Sequence, residues 1–366
     1  MKAISIGRRY EIYDDSLKTY DQLPAQTYIV KFSKMSGFYL EEYSEFEIKE
    51  DRIYGIHMEK ADKVLKAFKS FDRNLGVILS GDKGIGKSLF AKLLSIESIK
   101  KGLPVIIVDS FVPGIANYLE EIKQEVVVLF DEFDKTFANI RTGENEADPQ
   151  AGLLSLFDGI SQGKKLFIIT CNEIRKLNDY LINRPGRFHY HFRFEYPCAE
   201  EIKVYLEDKL DEKHHNEIDK VIVFSKKINL NYDCLRAIAF ELNSGEPFKK
   251  AIQDLNIVNT KSERYNITLH FKNGQTFTNK NRYLDLFGDE TECVELYGNG
   301  RDMIFVEFNP ADCEFDAFKG ANIINPADFK LSGDDDYPED LEKVKVLEPD
   351  YIAITRCQDK SIHYTV

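Results

Sequence analysis

The sequence predicts an α/β chain: a parallel sheet with helices on both faces, then a mostly helical stretch, with β-rich regions at either end. Three observations carry this. Between about residues 51 and 197, short apolar runs alternate with stretches whose apolar residues recur at helical spacing, the pattern of parallel strands joined by crossover helices. Three of those runs, Leu75–Ser80, Val126–Phe130 and Leu166–Cys171, are apolar almost throughout, as strands covered on both faces are. Each run leads into glycine, carboxylate or amide residues at its carboxyl end, where open α/β sheets bind ligands.

The first run ends in Gly81-Asp82-Lys83-Gly84-Ile85-Gly86-Lys87-Ser88, which fits G-x-x-x-x-G-K-[ST], the phosphate-binding P-loop. Ser88-Leu89-Phe90-Ala91-Lys92-Leu93-Leu94 then continues at helical spacing. Strand, glycine loop and helix is the order that phosphate binding needs. Glycines let backbone N–H groups curl round phosphate oxygens, and the helix N-terminus adds a partial positive charge. Lys87 is expected to reach the β- and γ-phosphates and the Ser88 hydroxyl to hold Mg²⁺, with Gly81 to Leu89 forming the nucleotide contact. The alternative is a glycine-rich turn before an amphipathic helix; the flanking strand favours the phosphate loop.

A nucleoside triphosphatase needs a second, acidic element. After Val126–Phe130 come Asp131 and Glu132. Asp131 is expected to complete the Mg²⁺ shell and Glu132 to act as general base on the attacking water, against the alternative of an acidic turn. Asn172, after the run Leu166–Cys171, is expected to bond the γ-phosphate or that water; the alternative is an amide in a turn. Arg184 and Arg187 straddle Pro185-Gly186 before the strand-like run from Phe188 to Phe194. A guanidinium binds phosphate oxygens bidentately and stays charged, so an arginine offered by a neighbouring subunit can stabilise phosphoryl transfer. The alternative is two solvated arginines capping a turn.

Composition narrows the function. Of 366 residues 43% are hydrophobic, enough for packed cores, and the net charge is −13. From Leu255 to Val366 there are 12 Lys and Arg against 21 Asp and Glu, so the tail carries −9 of the net charge of −13. That balance argues against non-specific nucleic-acid binding, which relies on cations. The tail run Asp334 to Asp340 reads as a solvated loop. No run of apolar residues is long enough to span a membrane. Six cysteines without a C-x-x-C pair suggest reduced thiols and a cytoplasmic setting. His189 and His191 have a spacing that could hold a metal, but no third partner is apparent.

Four regions follow: residues 1 to 50, a small β-rich accessory segment; 51 to 197, the nucleotide core; 198 to 255, mostly helical; and 256 to 366, acidic and β-rich. The P-loop at Gly81 to Ser88, the acidic strand ending in Asp131-Glu132, the strand ending in Asn172 and Arg184-Pro185-Gly186-Arg187, in this order, resemble the AAA+ ATPases. The R-P-G-R spelling resembles the group that contains the FtsH proteases and the proteasomal ATPases. The core with unusual β-rich flanks also resembles AAA ATPases encoded by large bacteriophages. This resemblance covers about residues 51 to 255. It implies a five-stranded parallel core, a small helical lid, ATP as ligand, and a homo-oligomeric ring, a hexamer, in which Arg184 and Arg187 act on the adjacent subunit's nucleotide. Arg236 is the candidate for a lid arginine at the nucleotide, with an ordinary helix-surface arginine as the alternative. The segment Asp51-Arg52-Ile53-Tyr54-Gly55 is the candidate adenine side. Family members carry an aromatic–hydrophobic–glycine pore loop after the second core strand; here Phe111-Val112 is followed by Pro113 before Gly114, and apolar packing under a loop is the alternative.

The function expected is a Mg²⁺-dependent, ring-forming ATPase that remodels a macromolecular substrate, with protein favoured. Two alternatives stand: an ATPase acting on DNA, disfavoured by the acidic balance, and an ATP-dependent scaffold that recruits a partner through its β-rich flanks.

Overall fold

The computed structural model describes residues 1–44, 46–48, 54, 57–137, 149–158, 163–257, 263–286, 288, 290–298, 302–316, 318–332 and 346–357. Of the adenine-side segment only Tyr54 lies among them, and the acidic run 334–340 lies outside. The chain divides into two compact units, 1–201 with 231–233, and 202–230 with 234–366.

In the first unit, β1 (Lys2–Ile6) and β2 (Arg9–Tyr13) pair as an antiparallel hairpin. Then follow β3 (Thr27–Ser33), β4 (Gly37–Glu42), α1 (His57–Ser70), β5 (Leu75–Ser80), α2 (Lys87–Lys100), β6 (Val105–Val108), α3 (Ile115–Glu120), β7 (Val126–Phe130), α4 (Phe133–Thr136), α5 (Leu154–Asp158), β8 (Lys165–Cys171) and β9 (Phe188–Arg193). The sheet order is β4-β3-β6-β7-β8-β5-β9. Every neighbouring pair is parallel except β3 with β4.

The sheet therefore has seven strands, where the resemblance implies five and the sequence reads residues 1–50 as a separate segment. Thr27, Tyr28 and Ile29 pair in parallel with Val105, Ile106 and Ile107, and β4 closes that edge. The alternation in Thr27–Phe32 reports which residues are covered, but it carries no mark of which strand lies alongside.

Successive strand residues face opposite sides of the sheet. Val77, Leu79, Val127, Leu129, Leu166 and Ile168 pack on Val64, Leu65 and Phe68 of α1 and Phe90 and Leu94 of α2. Ile78, Val128, Phe130, Phe167 and Ile169 pack on the other side with Phe133, Phe137, Leu156 and Phe157. Phe130 sits edge-on to the rings of Phe133, Phe137 and Phe157. Covering both faces is what makes the strand sequences apolar at every position.

The second unit takes up α6 (Ala199–Lys209) from Ile202 onward, α7 (Ile218–Lys227), α8 (Tyr232–Asn243) from Cys234 onward and α9 (Phe248–Asp254). It continues with β10 (Glu263–Phe271), β11 (Thr276–Leu284), β12 (Glu292–Tyr297), β13 (Met303–Phe308), β14 (Glu314–Asp316), β15 (Ala321–Ile324), β16 (Phe329–Ser332) and β17 (Pro349–Arg356). These strands form one antiparallel sheet in the order β14-β15-β17-β10-β11-β12-β13-β16. Tyr265, Ile267, Leu269, Val294, Leu296, Val306, Ile352 and Ile354 build its core.

Gly76 marks the tightest approach inside the parallel sheet. A Cβ there would overlap the Arg187 carbonyl oxygen and the Phe188 ring. Gly76→Ala should cost about 1–3 kcal/mol of stability, the usual penalty of overpacking, seen as a lower urea midpoint at unchanged slope. An unchanged midpoint would show that β9 can move away.

Candidate nucleotide-binding site

The order β7-β8-β5 brings three carboxyl ends together. The glycine loop leaves β5, Asp131 and Glu132 leave β7, and Asn172 leaves β8. Gly81, Gly84 and Gly86 have φ of 142°, 76° and 99°, values that side-chain-bearing residues rarely adopt. At Gly81 a Cβ would also overlap the Phe194 carbonyl. Helix α2 begins at Lys87 with Gly86 as its N-cap. The first turn of a helix leaves N–H groups without an intrahelical acceptor, so Lys87, Ser88 and Leu89 present donors at the loop's mouth.

Lys87 is buried, 7% exposed. Its ammonium donates to the Gly81 carbonyl at 2.7 Å, the Asp82 carbonyl at 2.5 Å and Asn172 Oδ1 at 3.0 Å. Burial pushes its pKa below the ordinary lysine value, opposed by the negative potential of Asp82, Asp134 and Asp131.

On the acidic side, Thr170 joins two groups. Its hydroxyl donates to Asp131 Oδ1 at 2.6 Å and accepts from the Glu132 amide at 2.8 Å. Glu132 adopts a left-handed φ of 47°, which turns its half-exposed side chain out of the strand's path. The hydrogen bond from Lys135 holds the Glu132 carboxyl below the usual glutamate range, so it is ionised near neutrality. Asp134 is 3% exposed, and its Oδ2 accepts from the amides of Asn172 and Glu173, both at 3.1 Å. Asp134 thereby fixes the backbone that carries the Asn172 amide onto Lys87.

The structure brings Lys87, Asp131, Glu132 and Asn172 together with the loop Gly81–Ser88. It does not bring Arg184 and Arg187 to the loop of their own chain. Strand β9 runs parallel to β5 with Phe188 beside Gly76 and Arg193 beside Ser80. The arginines therefore precede the near end of β5, roughly 13 Å along that strand from where the loop begins. Arg187 forms a bidentate pair with Asp158 and donates to the Tyr180 carbonyl at 2.7 Å. Arg184 is exposed, with its guanidinium 5.9 Å from the Tyr180 ring centroid.

Arg236 belongs to the second unit, where it lines a cavity of about 290 Å³ with Tyr205, Lys209, Ala239, Phe240 and Asn243. The residues of this stretch that meet the loop precede it. Asn231 Nδ2 donates to the Lys83 carbonyl at 3.4 Å, and a Cβ on Gly84 would overlap the Asn231 amide. Tyr232 stacks with Tyr54 at 6.2 Å, so the described residue of the adenine-side segment does meet the start of α8. Phe111 is half-buried and edge-on to Phe137 at 5.8 Å, the packing alternative for Phe111-Val112.

Sequence reasoning missed Thr170, Asp134, Asn231, Tyr232 and Asp158. Thr170 left a faint signal, a hydroxyl in an otherwise apolar run. Asp134 left another, a carboxylate in a segment whose Phe133 and Phe137 are core. The rest depend on contacts more than twenty residues away in sequence and leave no local trace.

A family model described as "ATPase family associated with various cellular activities (AAA)" matches residues 77–196. That span starts in β5, ends just past β9 and holds the site residues named above except Tyr54, Asn231, Tyr232, Arg236 and the residues lining the cavity beside Arg236. Residues 77–196 form an AAA ATPase domain.

The AAA domain has relatives of modest similarity. An "AAA ATPase forming ring-shaped complexes" of Corynebacterium kroppenstedtii is 30% identical over 165 residues, 37% of this chain and 28% of that protein. A proteasome-associated ATPase of Frankia alni is 29% identical over 157 residues, 34% of this chain and 26% of that protein. A cell division cycle protein 48 homologue of Archaeoglobus fulgidus is 29% identical over 143 residues, 36% of this chain and 20% of that protein. The chain thus spans under a third of the length of these relatives. Among the described residues no helix is long and apolar enough to cross a membrane.

Hydrogen bonding from Arg187, with the charges of Arg187 and Arg184, holds the Asp158 carboxyl below its usual value. A carboxyl lowered by folding stabilises the fold above its unfolded pKa and ceases to as pH falls through the folded value. Acidifying from about pH 7 to about pH 3 should therefore lower the urea midpoint by more in the wild type than in Asp158→Asn. Equal losses in the two proteins would remove this pair from the acid response of the AAA domain.

Proposed function

We propose that the chain is a Mg²⁺-dependent ATPase that works as a homo-oligomeric ring, a hexamer, and couples ATP hydrolysis to remodelling of a macromolecular substrate, with protein favoured over nucleic acid. One observation carries the ring: Arg184 lies at the opposite end of β5 from its own P-loop, so a phosphate-binding guanidinium there is useful only to another copy. The relative described as forming ring-shaped complexes supports the same reading. The acidic balance of the tail, 12 cations against 21 carboxylates over Leu255–Val366, supports a protein substrate.

The residues divide the chemistry. Amides of Gly81 to Ser88 bind the β- and γ-phosphate oxygens, and Lys87 turns from the loop carbonyls toward them. Oxygen donors suit Mg²⁺, and the Asp131 carboxylate, already oriented by Thr170, fits that role with the Ser88 hydroxyl. When bound there, Mg²⁺ supplies positive charge against the phosphate oxygens. Glu132 accepts a proton from water as the water oxygen bonds to the γ-phosphorus. The bond from that phosphorus to the ADP oxygen breaks, and ADP leaves with the electron pair. Asn172 orients the water or the γ-phosphate, and a neighbour's Arg184 meets the charge that builds on the equatorial oxygens.

Glu132→Gln should keep ATP binding and lower phosphate release by about 10²–10⁴-fold, measured by nucleotide titration and single-turnover assays. Turnover near the wild-type rate would remove Glu132 as the base. Lys87→Ala should lose ATP affinity and Arg184→Ala should lose kcat with little change in affinity. Mixing the two inactive proteins should restore phosphate release, because some interfaces then pair an intact loop with an intact Arg184. No recovery on mixing would count against shared sites.

A further inference from the structure

We propose that the two arginines of the loop have separate tasks. Arg187 is a positioning residue that anchors the loop to its own chain, and Arg184 alone is offered to the nucleotide of the next copy. This rests on the ring reading above and departs from the expectation that both arginines reach across.

The contacts of the two side chains differ in kind. Arg187 gives Nε and Nη2 to the two oxygens of Asp158, the second at 2.7 Å, and Nη1 to the Tyr180 carbonyl at 2.7 Å. All three guanidinium nitrogens are engaged, and the side chain is 13% exposed. Bidentate arginine–carboxylate pairs are among the strong polar contacts and are directional as well. To touch a neighbour's phosphate, Arg187 would have to leave all three acceptors and strand the Asp158 carboxylate at the end of α5. Arg184 is exposed. Among the described residues its side chain makes no hydrogen bond: its guanidinium stands 5.9 Å from the Tyr180 ring centroid, and its charge acts on Asp158 only at a distance.

A second arginine holds the same turn from behind. Arg73 donates to the Gly186 carbonyl and lies 3.5 Å from the Pro185 carbonyl, with its guanidinium over the Phe71 ring. The turn is closed by the amides of Arg187 and Phe188, which bond the Arg184 carbonyl at 2.9 and 3.0 Å. Asp158 and Arg73 therefore grip Pro185-Gly186-Arg187 on both sides. Arg184 projects from the end of a braced turn, and its aim depends on the brace.

The test uses the full chain and compares Asp158→Asn, Arg187→Ala, Arg187→Asp and the exchange Asp158→Arg/Arg187→Asp. Phosphate release gives kcat and KM, and hydrogen exchange at the Phe188 amide reports the turn without needing activity. We expect Asp158→Asn and Arg187→Ala to lose kcat together, by tenfold or more, at unchanged KM for ATP, because the nucleotide's own cradle is untouched. Both should speed exchange at Phe188. The exchange variant should regain kcat and protection, because it rebuilds the pair while placing a carboxylate at position 187.

The proposal is overturned if Asp158→Asn keeps the wild-type kcat while Arg187→Ala is inactive. It is equally overturned if the exchange variant has a protected Phe188 amide and no activity, since Arg187 would then be acting on phosphate directly. A wild-type chain that releases no phosphate would instead fail the ring reading. In that case the anchor still stands or falls on Phe188 exchange: faster exchange in Asp158→Asn supports it and unchanged exchange refutes it.

Discussion

The parallel pairing of β5 with β8 on one side and β9 on the other sets where each charged group of the AAA domain can act. The carboxyl end of β5 feeds the glycine loop. Its neighbour β8 delivers Asn172 to the same end, and β7 beyond it delivers Asp131 and Glu132. Strand β9 runs the same way, so the arginine turn before it is held at the far end. A single covalent chain cannot fold these two halves onto one phosphate without breaking the sheet. In the proposed ring, association between copies joins them.

Within the catalytic end, the charged groups are held by neutral donors and by each other. Thr170 couples Asp131 to the Glu132 backbone, and Asp134 couples α4 to the Asn172 backbone. Lys87 meets Asn172 from the other strand. A buried carboxylate costs stability unless it is bonded; two backbone amides meet that cost at Asp134 Oδ2, while its buried Oδ1 has no hydrogen-bond partner among the described residues. The arrangement ties the three strand ends through hydrogen bonds, so a shift in one loop is felt by the other two.

The site was legible where its chemistry is local. A phosphate loop needs glycines, a lysine and a hydroxyl within eight residues, and the acidic pair needs only to follow a buried strand. Both leave compact signatures. The apolar runs of β5, β7 and β8 were legible for the same reason, since burial on two faces forbids alternation. Strand β3 was less so. Tyr28, Ile29 and Val30 are buried because β6 and β4 flank them, and that neighbour relation is made across more than seventy residues of chain.

By itself, then, the sequence determined where the glycine loop lies, which strand ends carry the acid and amide, and that Arg184 and Arg187 sit on one turn. Those features depend on residue type at short spacing, which backbone geometry and helix polarity convert directly into chemistry. Only the tertiary structure decided the seven-stranded sheet, the hold of Asp134 on Asn172, and the capture of Arg187 by Asp158 while Arg184 stays in solvent. Each of these is a contact between residues far apart in the chain, and the spacing of residues along one segment carries no information about what packs against it.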